Sequence, residues 1–115
     1  MSQPARSARH ARGRASAPLF AALGDPTRLS LVATLCGGRA CSISQLTENT
    51  ALTRQAVTKH LRVLERAGLV HHTRRGRERR FAFDPRPIED LKEYLERVSG
   101  QWDEALASRA ALGYS

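Results

Sequence analysis

Side chains able to contact a nucleic acid cluster on one face of a predicted helix near the middle of the chain. The apolar residues Val57, Leu61 and Leu64 follow the i, i+4, i+7 spacing of a buried stripe, and the cluster lies opposite them at 100° per residue. Cationic and amide groups on an exposed helix face suit phosphates and base edges in a DNA major groove. The predicted DNA-contacting residues here are Arg54, Gln55, Thr58, Lys59 and Arg62, with Gln55 and Thr58 assigned to the bases.

A second basic cluster follows this helix at once. Thr53 can cap the helix and Gly68 can end it, after which residues 69–74 and 79–83 are predicted strands joined by a turn over residues 75–78. Residues 54–80 contain nine Lys/Arg and two Glu, a balance that favours a polyanion partner. The predicted phosphate-contacting residues of this hairpin are Arg74, Arg75, Arg77 and Arg79.

Composition indicates one small helical domain. The chain has 115 residues, 5% of them aromatic, and a net charge of +8 that is unevenly spread: residues 1–86 hold sixteen basic and five acidic residues, whereas residues 87–112 hold three and six. No run approaches the roughly 20 apolar residues of a membrane span, so we expect a cytoplasmic protein. The pattern contains no paired carboxylates, nucleophile with its base, or glycine-rich phosphate loop, which argues against an enzyme and a cofactor.

The remaining elements are predicted to support the helix and hairpin. Residues 1–17 are interpreted as a disordered basic arm and residues 18–112 as the folded domain, beginning with a short helix over residues 18–23. Asp25 caps a second helix with Pro26 at its first position, and a third helix starts near Ser42. The predicted fold is mainly α with a two-stranded β wing, a winged helix-turn-helix of order ααααββα. The second helix is predicted to be buried over a wide arc, with a stripe of Leu29, Val32, Ala33 and Cys36 and with Leu31 and Leu35 beside it.

The last predicted helix starts at Pro87 and carries an apolar stripe in steps of three and four residues. A small domain does not need so long a stripe for its own core, so part of it is expected to contact another chain. The alternative is that the whole stripe packs within one chain. Its members are Ile88, Leu91, Leu95, Val98, Trp102 and Ala105.

Three stretches together resemble the ArsR/SmtB family of bacterial winged-helix repressors. They are the run Ala22–Arg28 (ALGDPTR), the run Leu52–Val70 and the arginine-rich wing, within a resemblance that covers roughly residues 18–110. It implies an autoregulating homodimeric repressor on an inverted-repeat operator in double-stranded DNA. It also implies a dimer made by the first and last helices, so the predicted interface comprises Leu19, Phe20, Leu91, Leu95, Val98 and Trp102.

The same resemblance bears on metal sensing. Metal sensors of the family carry a Cys-x-Cys pair just inside the third helix, or Asp/His and His/Glu ligands on the last helix. Ser42 and Ser44 stand at the positions that match the pair, and the last helix has no histidine. Hydroxyls are poor ligands for thiophilic ions. The chain therefore resembles the family's metal-free members, with no metal site and an unknown effector.

Two alternatives remain from the sequence. Cys36 and Cys41 could form a thiol switch, although Cys36 is expected to be a buried, inert thiol. The chain could also be a winged-helix protein-interaction module, against which the donors on the central helix argue. Among the histidines, His60 is interpreted as a packing or hydrogen-bonding residue, and His71 and His72 should point to opposite faces of one strand.

Overall fold

The computed structural model describes residues 16–111 and residue 113, and its fold is mainly helical with one small antiparallel sheet. The helices are α1 (residues 16–23), α2 (Pro26–Leu35), α3 (Ile43–Glu48), α4 (Arg54–Arg66) and α5 (Arg86–Ala111). The strands are β1 (Cys41–Ser42), β2 (Val70–Arg75) and β3 (Glu78–Phe83), in the sheet order β1-β3-β2. The predicted winged helix-turn-helix is confirmed, with α3 and α4 as the helix pair and the β2–β3 hairpin as the wing.

The structure adds one strand to the predicted order. Strand β1 pairs antiparallel with β3 through Cys41 with Phe81 and Ser42 with Arg80. The sheet is therefore three-stranded, and the order of elements is ααβααββα rather than ααααββα. Two residues are too few to show the alternation that marks a strand in a sequence. Strand β1 forms only because it pairs with distant residues of β3.

Helix α1 is already helical at residues 16 and 17, which the prediction had placed in the basic arm. The rest of that predicted arm, residues 1–15, lies outside the described residues. At the other end of α1, the Gly24 N–H donates to the Ala21 carbonyl at 3.2 Å and closes the helix. Asp25 then caps α2 by accepting from the Arg28 N–H at 3.0 Å, with Pro26 at the first helical position.

The core lies where α4 packs against α2, α3 and the sheet. The predicted stripe of α4 is confirmed, because Val57, Leu61 and Leu64 are 0% exposed. Burying three such side chains contributes roughly 1.5–3 kcal/mol each. The other buried apolar residues are Leu19, Ala22, Leu31, Val32, Leu35, Leu46, Leu69, Val70, Phe81 and Leu91.

The predicted buried arc of α2 is confirmed for Leu31, Val32 and Leu35 and is wrong for Leu29, Ala33 and Cys36. Leu31, Val32 and Leu35 are the buried residues of α2, whereas Leu29 is 52% exposed and Cys36 is exposed. Apolar residues surround most of this short helix, so spacing alone does not choose its inner face. Cys36 is moreover the C-cap, beyond the last helical residue, where the chain turns outward.

The ends of α4 and the wing turn follow local chemistry. Thr53 Oγ1 accepts from the Ala56 N–H at 3.1 Å, and Gly68 leaves the helix with a φ of +79°. The wing turn is shorter than predicted, because Arg75 pairs with Glu78 and only residues 76 and 77 connect the strands. Gly76, with a φ of +63°, allows this two-residue turn.

Candidate nucleic-acid interface

The polar face of α4 forms a shallow groove open to solvent. It is lined by all five residues predicted for it, Arg54, Gln55, Thr58, Lys59 and Arg62. Thr58 is half-buried, and its hydroxyl donates to the Arg54 carbonyl at 2.7 Å, as helical threonines often do. Its proton is therefore engaged within the helix, but its oxygen can still accept a hydrogen bond.

Helices α3 and α4 are held in a fixed relation by the short connection between them. Thr50 N–H donates to the Thr47 carbonyl at 3.0 Å, and the Thr50 hydroxyl accepts from the Leu52 N–H at 3.2 Å. Leu46 of α3 is 1% exposed and packs in the core beside α4. This bracing lets α3 lie across a DNA backbone while α4 enters a groove.

The wing presents all four of its predicted arginines to solvent. Arg74, Arg75, Arg77 and Arg79 are exposed. Arg74 and Arg79 are directly opposite in the β2–β3 ladder. Like charges in that relation repel one another, so a bound anion would stabilise the arrangement.

Two histidines anchor the wing from opposite faces of β2, as predicted. His72 Nδ1 hydrogen-bonds Glu65 of α4, and its ring centroid is 5.3 Å from that of Phe81. His71 Nε2 lies 2.9 Å from Asp84 Oδ2, just beyond β3. These contacts tie the hairpin on one side to α4, which is the second helix of the helix pair and therefore the recognition helix, and on the other side to the start of α5.

Asp84 is a buried carboxylate at the junction of the wing and α5. The Arg86 guanidinium donates to it at 2.7 Å, and the Arg86 backbone N–H donates at 3.0 Å. These hydrogen bonds, together with that of His71, hold the pKa of Asp84 well below its ordinary value. The carboxylate therefore stays ionised at neutral pH and fixes the direction in which α5 leaves the wing.

Arg28 was not assigned a role from the sequence, yet it joins three elements. Its Nε donates to the Ala22 carbonyl at 2.5 Å and its second terminal nitrogen donates to the Ala21 carbonyl at 3.3 Å. The other terminal nitrogen lies 3.3 Å from His60 Nδ1 on α4. The hydrogen-bonding interpretation of His60 is thus confirmed. The signal for Arg28 was its place three residues after the capping Asp25, which aims it back at the end of α1.

The two serines at the positions of the family's sulfur pair both have structural partners. Ser42 caps α3 in a capping box, accepting from the Gln45 N–H while the Gln45 side chain accepts from the Ser42 N–H. The Ser44 hydroxyl accepts from Arg54 at 2.9 Å. Across residues 16–111 and 113, no three His, Cys, Asp or Glu side chains converge as a metal site would require.

One of the two cysteines differs from the prediction. Cys36 is an exposed thiol rather than a buried one, because it lies beyond the last helical residue of α2. Cys41 is half-buried in β1, and its thiol is 3.6 Å from the Arg39 carbonyl.

The predicted interface residues divide into two groups. Leu19 and Leu91 lie in the core of their own chain, 8% and 4% exposed. Phe20 and Trp102 are 41% and 66% exposed, and the Phe20 ring meets Tyr94 of α5 edge-on at 6.2 Å. Leu106, one turn beyond Trp102 and 50% exposed, was missed because the alternating steps of three and four led to Ala105 instead. The exposed apolar residues on α1 and α5 are Phe20, Leu95, Val98, Trp102 and Leu106.

A recognition helix with an exposed donor face, a basic wing and a braced helix pair define a winged helix-turn-helix DNA-binding protein. A family model described as a helix-turn-helix domain matches residues 23–73. None of the helices in the described part of the chain is both long and apolar enough to cross a membrane.

Known proteins place the chain within that class. The uncharacterised HTH-type transcriptional regulator YuzN of Bacillus subtilis (strain 168) is 38% identical over 79 residues, covering 64% of this chain and 86% of YuzN. The HTH-type transcriptional regulator Rv2034 of Mycobacterium tuberculosis is 34% identical over 91 residues, 79% of this chain and 81% of Rv2034. An ArsR-like transcriptional regulator from Rhodococcus sp. RHA1 has a TM-score of 0.76 and 34% identity, over 89% of this chain and 95% of that one. The chain belongs to the ArsR family of winged helix-turn-helix transcriptional regulators.

Proposed function

We propose that this regulator is a homodimeric repressor that binds an inverted-repeat operator and controls its own gene. The observation that carries the proposal is the exposed donor face of α4, opposite a stripe of fully buried residues and beside a wing of exposed arginines. Helix α4 enters the major groove, where Gln55 and Thr58 read base edges and the flanking cations contact phosphates. The wing arginines hold the backbone beside the groove.

The dimer is supported by apolar surface on α1 and α5. Leu95 and Trp102 are 48% and 66% exposed and lie on one stripe of a helix of 26 residues, about 39 Å long. A contiguous apolar patch of this kind marks a protein interface. A two-fold dimer through α5 presents two copies of α4 to half-sites about one helical turn apart, which gives the operator its inverted symmetry.

The repressor works without the metal sites used by other members of the family. Ser42 and Ser44 offer hydroxyls in place of thiolates, and both are engaged in the hydrogen bonds that order α3 and Arg54. Two cysteines alone leave a tetrahedral site half empty. The effector is therefore not a thiophilic ion bound at those positions. A bacterial regulator acts on DNA inside the cell, so we propose that the protein is cytoplasmic.

A mobility-shift titration on DNA from upstream of the protein's own gene tests this function. Gln55→Ala should cost roughly 1–3 kcal/mol of binding free energy at particular operator positions and little on random DNA. Lys59→Ala should weaken binding to both DNAs alike, because a phosphate contact carries no sequence information. Equal losses on both DNAs for Gln55→Ala would reject the base-reading role, and no binding of the wild type to any duplex would favour a protein-interaction module instead.

A further inference from the structure

A cleft of about 300 Å³ separates the start of α3 and α4 from the wing. Its walls are formed by the segment around Ser44, by Arg54 at the first position of α4, and by the facing sides of β2 and β3. The wing side of the cleft contributes Arg74, Arg77, Glu78 and Arg79.

The charges that line this cleft are unbalanced. Arg54 and the three wing arginines face one acidic residue, and Glu78 lies 3.4 Å from Arg80, which is not part of the cleft. In the part of the chain that the structure describes, no carboxylate pairs with Arg74, Arg77 or Arg79. Arg74 and Arg79 also oppose each other directly in the ladder. An anion between them would remove the repulsion that this pairing creates.

Arg54 is held toward the cleft rather than left to move over the surface of α4. One of its terminal nitrogens donates to the Ser44 hydroxyl at 2.9 Å, across ten residues of chain. A guanidinium carries five N–H donors in a rigid plane, so several remain for an oxyanion. Ser44 therefore acts as a positioning residue, and Arg54 belongs to the cleft as much as to the row of α4 residues.

We propose that this cleft seats one phosphate of the DNA backbone, shared by Arg54, Arg74 and Arg79. The inference rests on the proposed DNA-binding function and deepens it, because it places a single phosphate where the backbone passes between the groove entered by α4 and the flank held by the wing. Arg75 lies outside the cleft and Arg77 lines it only from the turn at the wing tip, so both are assigned to other phosphates. The Ser44 hydroxyl orients the planar guanidinium of Arg54 toward that phosphate.

The salt dependence of DNA binding tests whether these arginines share one phosphate. Affinity of the full chain for operator DNA is measured from 50 to 200 mM salt for the wild type, the double variant Arg74→Ala, Arg79→Ala, and the control Arg80→Ala. Because Arg74 and Arg79 serve the same phosphate together with Arg54, the slope of log K against log salt should fall by about 0.9 rather than by about 1.8, which is about a 3.5-fold change in affinity over this range. A fall of about 1.8 or an unchanged slope in the double variant, with operator preference still sensitive to Gln55→Ala, would overturn the inference and leave the proposed function intact.

Neutral substitutions in the DNA backbone then test whether Ser44 positions Arg54 on that phosphate. Ser44→Ala should weaken binding to operator and random DNA equally, and Ser44→Thr, which keeps the hydroxyl, should restore it. A neutral methylphosphonate scanned along each strand should reveal one position where wild type and Ser44→Ala become equal, since the phosphate that Arg54 holds is then absent. If no such position exists, the cleft does not hold a backbone phosphate.

A free oxyanion shares the same chemistry, so inorganic phosphate is titrated against chloride at matched ionic strength. Displacement of DNA from the wild type but not from the Arg74→Ala, Arg79→Ala variant, with no site-specific effect of methylphosphonate, would identify a free-anion site and overturn the assignment to DNA. Equal effects of phosphate and chloride on both proteins would support it.

Discussion

Replacing Trp102 by alanine should dissociate the proposed dimer, because Trp102 is the most exposed large apolar residue in the described part of the chain. A tryptophan buries about 200 Å² when fully covered, and a residue that is 66% exposed in one chain leaves about 130 Å² for a partner to cover. In a two-fold dimer the residue occurs twice, so about 260 Å² is at stake. At about 25 cal/mol per Å² this is an upper bound of about 6.5 kcal/mol.

The realised loss should be about half of that bound, since the interface covers the ring incompletely and alanine keeps part of the contact. About 3 kcal/mol raises the dimer dissociation constant about 100-fold. Sedimentation equilibrium over a range of concentrations measures this constant directly. Trp102 is also the only tryptophan of the chain, so in the wild type its fluorescence should shift to longer wavelength as dilution exposes the ring.

Gln101→Ala is the matched control, because Gln101 is the exposed neighbour of Trp102 on α5 but is not part of the apolar stripe. It should leave the dissociation constant unchanged. A Trp102→Ala protein that sediments as the same dimer as wild type and Gln101→Ala would show that the α5 stripe is not the interface, and the reasoning from exposed area would be refuted.

Three further outcomes are expected. The double change Arg75→Ala, Arg77→Ala should lower the salt slope of DNA binding by up to about 2, and an unchanged slope would mean that the wing tip holds no phosphate. The folded-state pKa of Asp84 is lowered, so the stabilisation of the fold by this carboxylate is complete above about pH 4 and is lost as the pH falls through the lowered pKa. Asp84→Asn should therefore reduce the free energy of unfolding at pH 7 and flatten the fall of that free energy below about pH 4. Urea unfolding measures both effects, and parallel pH profiles for the two proteins would contradict this reasoning. Zn²⁺, Cd²⁺ and arsenite should leave operator affinity unchanged in reduced wild type and in a Cys36→Ser, Cys41→Ser variant. Release of both proteins from the operator by a metal would contradict the argument that the chain has too few ligands for a metal site.

Helix α4 could be predicted closely because several local signals agree. The stripe of Val57, Leu61 and Leu64 has helical spacing, Thr53 provides a cap, and Gly68 provides an end, and each depends on neighbours within a few residues. The wing followed from the same kind of signal at Gly76. Strand β2 is shifted by one residue from the predicted range and β3 is one residue longer, because cross-strand pairing, rather than residue type, extends them to Arg75 and Glu78.

The features that were missed depend on contacts between distant residues. Strand β1 needs Phe81 and Arg80 beside it, and the inner face of α2 is chosen by what packs against it. The same holds in the candidate site. Helical geometry gave the donor face of α4, but the hydrogen bond from Arg54 to Ser44 spans ten residues and has no signature in the spacing of either.

Arg28 shows how such distant contacts shape the function. It binds two carbonyls at the end of α1 and meets His60 on α4, so one side chain fixes the recognition helix relative to the helix that carries Phe20. In the proposed dimer α1 and α5 face the partner, and the angle between α1 and α4 is then repeated by symmetry in the second subunit. A small change of that angle moves both copies of α4 in opposite directions, which alters the distance between half-sites that the dimer can occupy. For the proposed dimer, the distance between half-sites would therefore depend on contacts within each subunit, remote from the DNA, as well as on the interface itself.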